Sequence, residues 1–276
     1  MRRRRRMIIR ILLGASVAVA VAACDPCKKL AKSKSVADKD SAAYCYFEKK
    51  QYESAGILFE ELMGLYRGTE KLEKTMFHYA KSKFKNAEFI TSAYYFQEFV
   101  LQYPLGRYTE EATYLIAMSH FGMSNVHYLD QSDTYKAIEY MQLYLQRYPG
   151  GTYSADAEKH IEDMRLKLAH KAFRLADLYY RMENYKSAVV AFKNVLADHP
   201  QSPYREEAAF KLFKSCFLYA KQSVKEKQRE RYELAETYYL RYLDRYGDGK
   251  FRREAESLYA DARERMSKLE PANAER

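Results

Sequence analysis

Apolar residues recur every three or four positions along most of this chain, and the recurrence comes in paired blocks. That spacing is the helical period. The clearest pair runs from Ala172 to Ala208. Ala172, Leu175, Ala176, Tyr179 and Tyr180 share one helical face, and Arg181 to Asn184 make a polar turn. Tyr185, Ala188, Val189, Phe192, Val195 and Leu196 form the face of a second helix, which His199-Pro200 stops. Two helices joined by a short turn predict an αα-hairpin. One hairpin cannot bury its apolar face alone, so the unit should recur.

It does recur. Tyr44 to Phe47 lead into Tyr52, Ala55, Leu58, Phe59 and Leu62. Met76, Phe77, Tyr79 and Ala80 lead into Ala93, Phe96 and Phe99. Tyr114, Leu115, Met118 and Phe121 lead, across an extended loop from Asn125 to Asp133, into Ala137, Met141 and Tyr144. Ala208, Phe210, Phe213 and Phe217 lead into Ala235, Tyr238, Tyr239 and Tyr242. Tyr103-Pro104, Tyr148-Pro149, His199-Pro200 and Tyr246-Gly247 close successive pairs, at intervals of 45, 51 and 47 residues. Ala55, Ala93, Ala137, Ala188 and Ala235 each open a second helix, where a small residue lets two helices approach. The pattern resembles the tetratricopeptide repeat, with a period longer than that family's minimal ~34 residues. The expectation is an all-α chain: a right-handed α-solenoid of about five hairpins with a C-terminal capping helix from Arg252 to Leu269. The repeat domain spans 41–270, with units near 41–74, 75–112, 113–168, 169–207 and 208–270. An unrelated helical bundle is the alternative on the same pattern.

Composition sharpens this. The 276 residues include only 10 Gly and 6 Pro, which suits long helices. The 27 Tyr, with no Trp, put a polar rim on many apolar positions. The net charge of +10 is concentrated at the start: residues 1–23 hold six Arg and no acid, and the rest has 41 basic against 37 acidic residues. So weak an excess excludes a dedicated nucleic-acid binder.

Arg2 to Arg6 and Arg10 precede an apolar run, Ile11 to Ala23, too short to span a bilayer. That is the layout of a secretory signal, with Met1 or Met7 as its start. Val21-Ala22-Ala23-Cys24 resembles the bacterial lipobox. The resemblance implies cleavage between Ala23 and Cys24, loss of residues 1–23, and acyl chains on Cys24 that anchor the chain to a membrane. Residues 24–40 are polar and lysine-rich, and are expected to form a flexible lipidated tether; residues 271–276 are expected to be a disordered tail.

Catalytic chemistry is hard to find. His78, His120, His127, His160, His170 and His199 are dispersed and lack metal-ligand spacing. Cys24-Asp25-Pro26-Cys27 has redox spacing, but an acylated Cys24 has no free thiol. Cys45 and Cys216 read as buried thiols, and Cys27 with Cys45 can also form a disulfide in an oxidising compartment. No phosphate loop, nucleophile elbow or dinucleotide fingerprint occurs. The charged run from Lys221 to Glu233 reads as a solvated helix face. The expectation is a non-enzyme with no cofactor and no metal. An enzyme or carrier using Cys27 or the histidines is the reading from another class.

Two surface groups remain as candidates, because Tyr and Arg are favoured at interfaces. Tyr44, Tyr46, Lys49, Tyr79 and Lys83 are candidates for a groove that takes an extended peptide. Tyr242, Arg245, Tyr246, Arg252 and Arg253, together with Tyr239 and Arg241, are candidates for docking a folded partner.

From Cys24 to Leu269, the lipobox, the hairpins and their Tyr-Pro exits resemble the BamD family, lipoproteins of the outer-membrane β-barrel assembly machinery. The resemblance implies a scaffold anchored in the outer membrane and facing the periplasm. Its partners would be a BamA-like assembly protein, docked through that protein's periplasmic domains, and unfolded outer-membrane proteins. The family carries an arginine seven residues after the tyrosine of its last exit turn, and Arg253 stands seven after Tyr246. Another periplasmic repeat lipoprotein, serving pilus assembly or envelope coordination, is the alternative.

Overall fold

The computed structural model describes residues 26–269. The signal segment, the Ala23–Cys24 junction and the tail from 271 lie outside the described residues. These residues form helices only. The first is α1 (Pro26–Ala31), followed by α2 (Val36–Glu48), α3 (Tyr52–Leu65), α4 (Lys71–Lys85), α5 (Phe89–Gln102) and α6 (Thr109–Met123). Then come α7 (Ser132–Arg147), α8 (Ser154–Arg181), α9 (Tyr185–Asp198), α10 (Arg205–Lys221), α11 (Lys225–Tyr246) and α12 (Arg252–Lys268). After α1 they pair as hairpins, α2/α3 through α10/α11, and α12 follows as a single helix. The chain divides into two compact units. One holds the described residues up to Ser124 with Ser132–Glu158; the other holds Asn125–Gln131 and the residues from Lys159.

Each hairpin is built the same way. The alanines that open the second helices are all buried, Ala93 at 5% exposure and the other four at 0%. Each first helix brings a fully buried alanine of its own: Ala43, Ala80, Ala117, Ala176 and Ala220. Small residues on both sides let the backbones approach, and Phe59, Phe96, Phe192 and Phe213 fill the space around them. Three of the turns between helices place a non-glycine residue in the left-handed region: Lys50, Ala87 and Glu183. The next residue's N–H then bonds back five residues, Gln51 to Tyr46, Glu88 to Lys83 and Asn184 to Tyr179, which satisfies carbonyls at the helix end.

The exit turns share a second device. The aromatic five residues past each exit stacks on an aromatic of the same hairpin's first helix. Tyr108 lies 4.5 Å from Phe77, Tyr153 lies 4.5 Å from Tyr114, Tyr204 lies 5.0 Å from Phe173 and Phe251 lies 4.7 Å from Phe210. One turn before Phe77, Tyr114 and Phe210 stand Glu73, Glu110 and Glu206. Glu73 accepts the Arg107 N–H at 2.9 Å, and Glu110 accepts the Thr152 N–H at 2.7 Å and the Tyr144 hydroxyl at 2.9 Å. The carboxylate needs room: a Cβ on Gly106, Gly151 or Gly249 would meet Glu73, Glu110 or Glu206 at 2.5, 2.8 and 2.4 Å. In the remaining hairpin Ala169 replaces the acid, and the turn carries Ser202 where the others carry glycine.

The expected flexible tether over 24–40 needs correction. Of its described residues, 26–31 form α1 and 36–40 begin α2. A disulfide joins Cys27 to Cys45 across a Cα separation of 5.6 Å, so Cys45 is not a buried thiol. Leu30 and Ala31 pack on the core around Phe59, and Ser33 donates to Asp38 at 2.6 Å. Polarity hides this segment in the sequence because a covalent bond and two apolar side chains hold it.

The run from Lys221 to Glu233 is also not one helix face. α10 ends at Lys221 and α11 begins at Lys225. Gln228 donates to the Ser223 carbonyl at 2.9 Å and Arg231 donates to the Ser223 hydroxyl, so part of the run's polarity holds the turn.

Candidate docking cleft

In the second unit, α9, α10 and α11 line a cleft of about 310 Å³. The helical period builds one wall: Tyr238, Arg241, Tyr242, Arg245 and Tyr246 recur every three or four residues along α11. Arg205, Ala209 and Leu212 come from α10, and Leu196 from α9. The sequence placed Arg241, Tyr242, Arg245 and Tyr246 together. It missed Leu196 and Arg205, whose proximity comes from the hairpin fold and leaves no local signal. It also missed Tyr238, which the α11 periodicity offered.

The cleft is cationic and aromatic. Arg205, Arg241 and Arg245 face one acid, Asp244. Arg241 lies over the Tyr238 ring at 5.4 Å, and Arg245 lies near Tyr246 at 5.9 Å. Arg205 donates to the Pro200 carbonyl, and its Nε is covered without a hydrogen-bond partner. Tyr242 is 1% exposed, so it is the floor and not a contact surface, which corrects its place among the exposed docking residues. Its hydroxyl points to Glu206 at 3.4 Å. Burial, and after it the Glu206 charge, pushes the phenol up to about 12.

The two arginines at the start of α12 do not line the cleft. Arg252 is held by Asp248 at 3.2 Å and Glu256 at 2.8 Å. Arg253 is exposed, with no ion pair or hydrogen bond to another side chain among the described residues.

The first candidate group is mostly packing. Tyr79 is 3% exposed, edge-on to Tyr95 at 4.6 Å, and burial raises its phenol far above the ordinary value. It cannot line a groove. Lys83 is tied to Glu88 at 2.9 Å. Tyr44 is half-buried against Phe59 and His78, at 5.1 and 5.0 Å, with Lys74 over its ring at 4.3 Å. Tyr46 is half-buried and Lys49 exposed. Amphipathic aromatics read alike in a sequence whether their rims reach water or a neighbouring helix.

Among the described residues no group of three or more His, Cys, Asp or Glu could hold a metal ion, and no helix is long and apolar enough to cross a membrane. His127 and His170 do meet, with ring centroids 4.3 Å apart. Cys216 is a buried thiol that burial pushes up to about 12.

Fold and cleft together define a class: a helical-hairpin repeat protein with a cationic, aromatic cleft in its second unit. Residues 37–234 match the family model YfiO, described as outer membrane lipoprotein, and the chain belongs to that family. A protein of Aquifex aeolicus provisionally named outer membrane protein assembly factor BamD is 25% identical over 226 residues, spanning 81% of this chain and 73% of that one. The outer membrane protein assembly factor BamD of Rickettsia prowazekii is 23% identical over 172 residues, spanning 62% and 68%. That of Caulobacter vibrioides is 29% identical over 114 residues, spanning 41% and 37%.

Proposed function

We propose that this chain is a non-catalytic scaffold of outer-membrane β-barrel assembly. It is acylated at Cys24, held on the outer membrane and faces the periplasm. The observation that carries the reading is the family match across residues 37–234, joined by relatives named as outer membrane protein assembly factors.

The second unit docks a BamA-like assembly protein through that protein's periplasmic domains. Arg241, Arg245 and Tyr246 of the cleft, with Arg253 beside them in sequence, supply the contacts. The repeat register supports Arg253. Seven residues past Tyr66, which follows the end of α3, and past Tyr103 and His199 stand Glu73, Glu110 and Glu206, while Ala155 stands seven past Tyr148. Glu73 and Glu110 accept backbone N–H groups from the exit turn of their own hairpin. Arg253 occupies the same register on α12, where no exit turn follows among the described residues. A donor stands where three of the repeats hold a carboxylate, and it fits a partner's carboxylate. Tyr44, Tyr46 and Lys49 remain the contacts proposed for unfolded outer-membrane proteins.

Purification of the tagged chain from its own membranes in a gentle detergent tests the scaffold reading. The expected co-purifying partner is a barrel-forming assembly protein with periplasmic domains. Its absence from repeated preparations would contradict the reading, and recovery of pilus components in its place would support the alternative.

A further inference from the structure

Four lysines crowd the first described stretch. Lys28, Lys29, Lys32 and Lys34 are all exposed, and none has an ion-pair partner among the described residues. The neighbouring acids are engaged elsewhere: Asp38 accepts the Ser33 hydroxyl at 2.6 Å, and Glu61 pairs with Lys39. From residue 24 to residue 34 the sequence holds a single acid, Asp25.

The cluster has a fixed place on the first hairpin. α1 is six residues long, too short to stand alone as a helix. The Cys27–Cys45 disulfide ties it to α2, Cys27 is fully buried, and Leu30 and Ala31 pack on the core beneath. Cys24 precedes Pro26 by two residues, and an extended chain spans at most about 3.6 Å per residue. An acyl attachment at Cys24 therefore lies within about 7 Å of the start of α1. Lysines near an anionic bilayer are attracted to it, and the attraction decays over a Debye length of about 8–10 Å.

We infer that Lys28, Lys29, Lys32 and Lys34 form a surface that rests on anionic lipid headgroups, and that the Cys27–Cys45 disulfide couples this contact to the first hairpin. The inference rests on the acylation of Cys24 proposed above. The acyl chains supply the attachment, the lysines supply a second contact close by, and the disulfide turns a leash into an oriented mount. Without the disulfide, α1 could follow the membrane while α2 and α3 turned freely.

The test uses the membrane-purified full chain. Mass spectrometry first reads acylation at Cys24. The acylated protein is then placed in vesicles of phosphatidylcholine alone or with phosphatidylglycerol, at low and high salt, and its amines are labelled with a membrane-impermeant reagent. Exposed Lys225 and Lys227, on α11, serve as internal references. The expected result is at least about threefold weaker labelling of the four lysines in phosphatidylglycerol vesicles at low salt, recovering at high salt, with the references unchanged. Equal labelling in both vesicle types with acylation confirmed would overturn the headgroup contact alone. A chain without acyl groups would overturn the anchor and, with it, this inference. For the disulfide, Cys27→Ala/Cys45→Ala should retain the shielding of the four lysines and broaden spin-label orientation distributions on α3. Unchanged distributions would overturn the coupling.

Discussion

Phe251 stacks on Phe210 with ring centroids 4.7 Å apart and planes 1° from parallel. The pair repeats the Tyr108–Phe77, Tyr153–Tyr114 and Tyr204–Phe173 stacks, so the turn at Tyr246 stands in the register of the earlier exits although it lacks their proline. Phe210 is 3% exposed and Phe251 is half-buried. Phe251→Ala should destabilise the second unit by about 2 kcal/mol, below the ~3–5 kcal/mol of a fully buried phenylalanine. Urea unfolding followed by circular dichroism measures this, and a loss under about 0.5 kcal/mol would show that the stack does not hold the turn.

Ala87 carries φ 61 at the turn between α4 and α5, and it is exposed. Left-handed backbone costs an L-residue ~1–2 kcal/mol, while glycine gives back ~0.5–1 kcal/mol through its freer unfolded chain. Ala87→Gly should therefore stabilise the chain by up to about 1 kcal/mol, read as a higher melting temperature. A lower one would mean that the alanine methyl makes a contact worth more than the strain.

The Cys27–Cys45 disulfide has a sequence separation of 18 residues. Closing a loop of that size is worth about 3 kcal/mol in the chain-entropy account. Cys27→Ala/Cys45→Ala should approach that loss, seen first as faster amide exchange in α1 and the start of α2 and as early proteolysis there. Unchanged exchange would place the stability of α1 in Leu30 and Ala31 alone.

Burial lowers the His170 imidazole, helped by His127 and then Arg174, and burial also lowers His78 and His199. Their protons bind more readily in the unfolded chain. Stability from these groups is complete above the unfolded value of about 6.5 and declines as pH falls from there toward the folded values. Thermal melts at pH 7.5, 6.5 and 5.5 should give falling midpoints, and His170→Gln should flatten the slope. A midpoint that rises on acidification contradicts this. The carboxylates of Glu88 and Glu110 are held low by their hydrogen bonds, so their contribution is lost only in more acid solution.

The hairpins were legible because buried alanines and aromatics keep a strict helical spacing, and because a proline after an aromatic marks three of the four exits. The stacks and the Glu–Gly contacts were not visible as such: their partners lie 31 to 43 residues apart, and only folding shows which aromatic meets which. Polar composition concealed α1, whose hold on the core is a disulfide and two small apolar contacts. Exposure of individual tyrosines was unreadable, since Tyr79 and Tyr242 sit in the core while Tyr94 and Tyr135 stand at 56% and 60% exposure on the same kind of helical pattern. The cleft was half legible, through one face of α11.

The most direct measurement of the scaffold account is the affinity of the purified chain for the periplasmic domains of the proposed barrel-forming partner, compared between wild type and Arg253→Glu. Among the described residues Arg253 has no side-chain partner to lose, so the variant should fold with an unchanged melting temperature. Its docking should weaken by about 1–3 kcal/mol, roughly five- to a hundred-and-fiftyfold in Kd, with less dependence on salt. An unchanged Kd would contradict docking through Arg253, and no measurable binding by the wild-type chain would contradict the account as a whole.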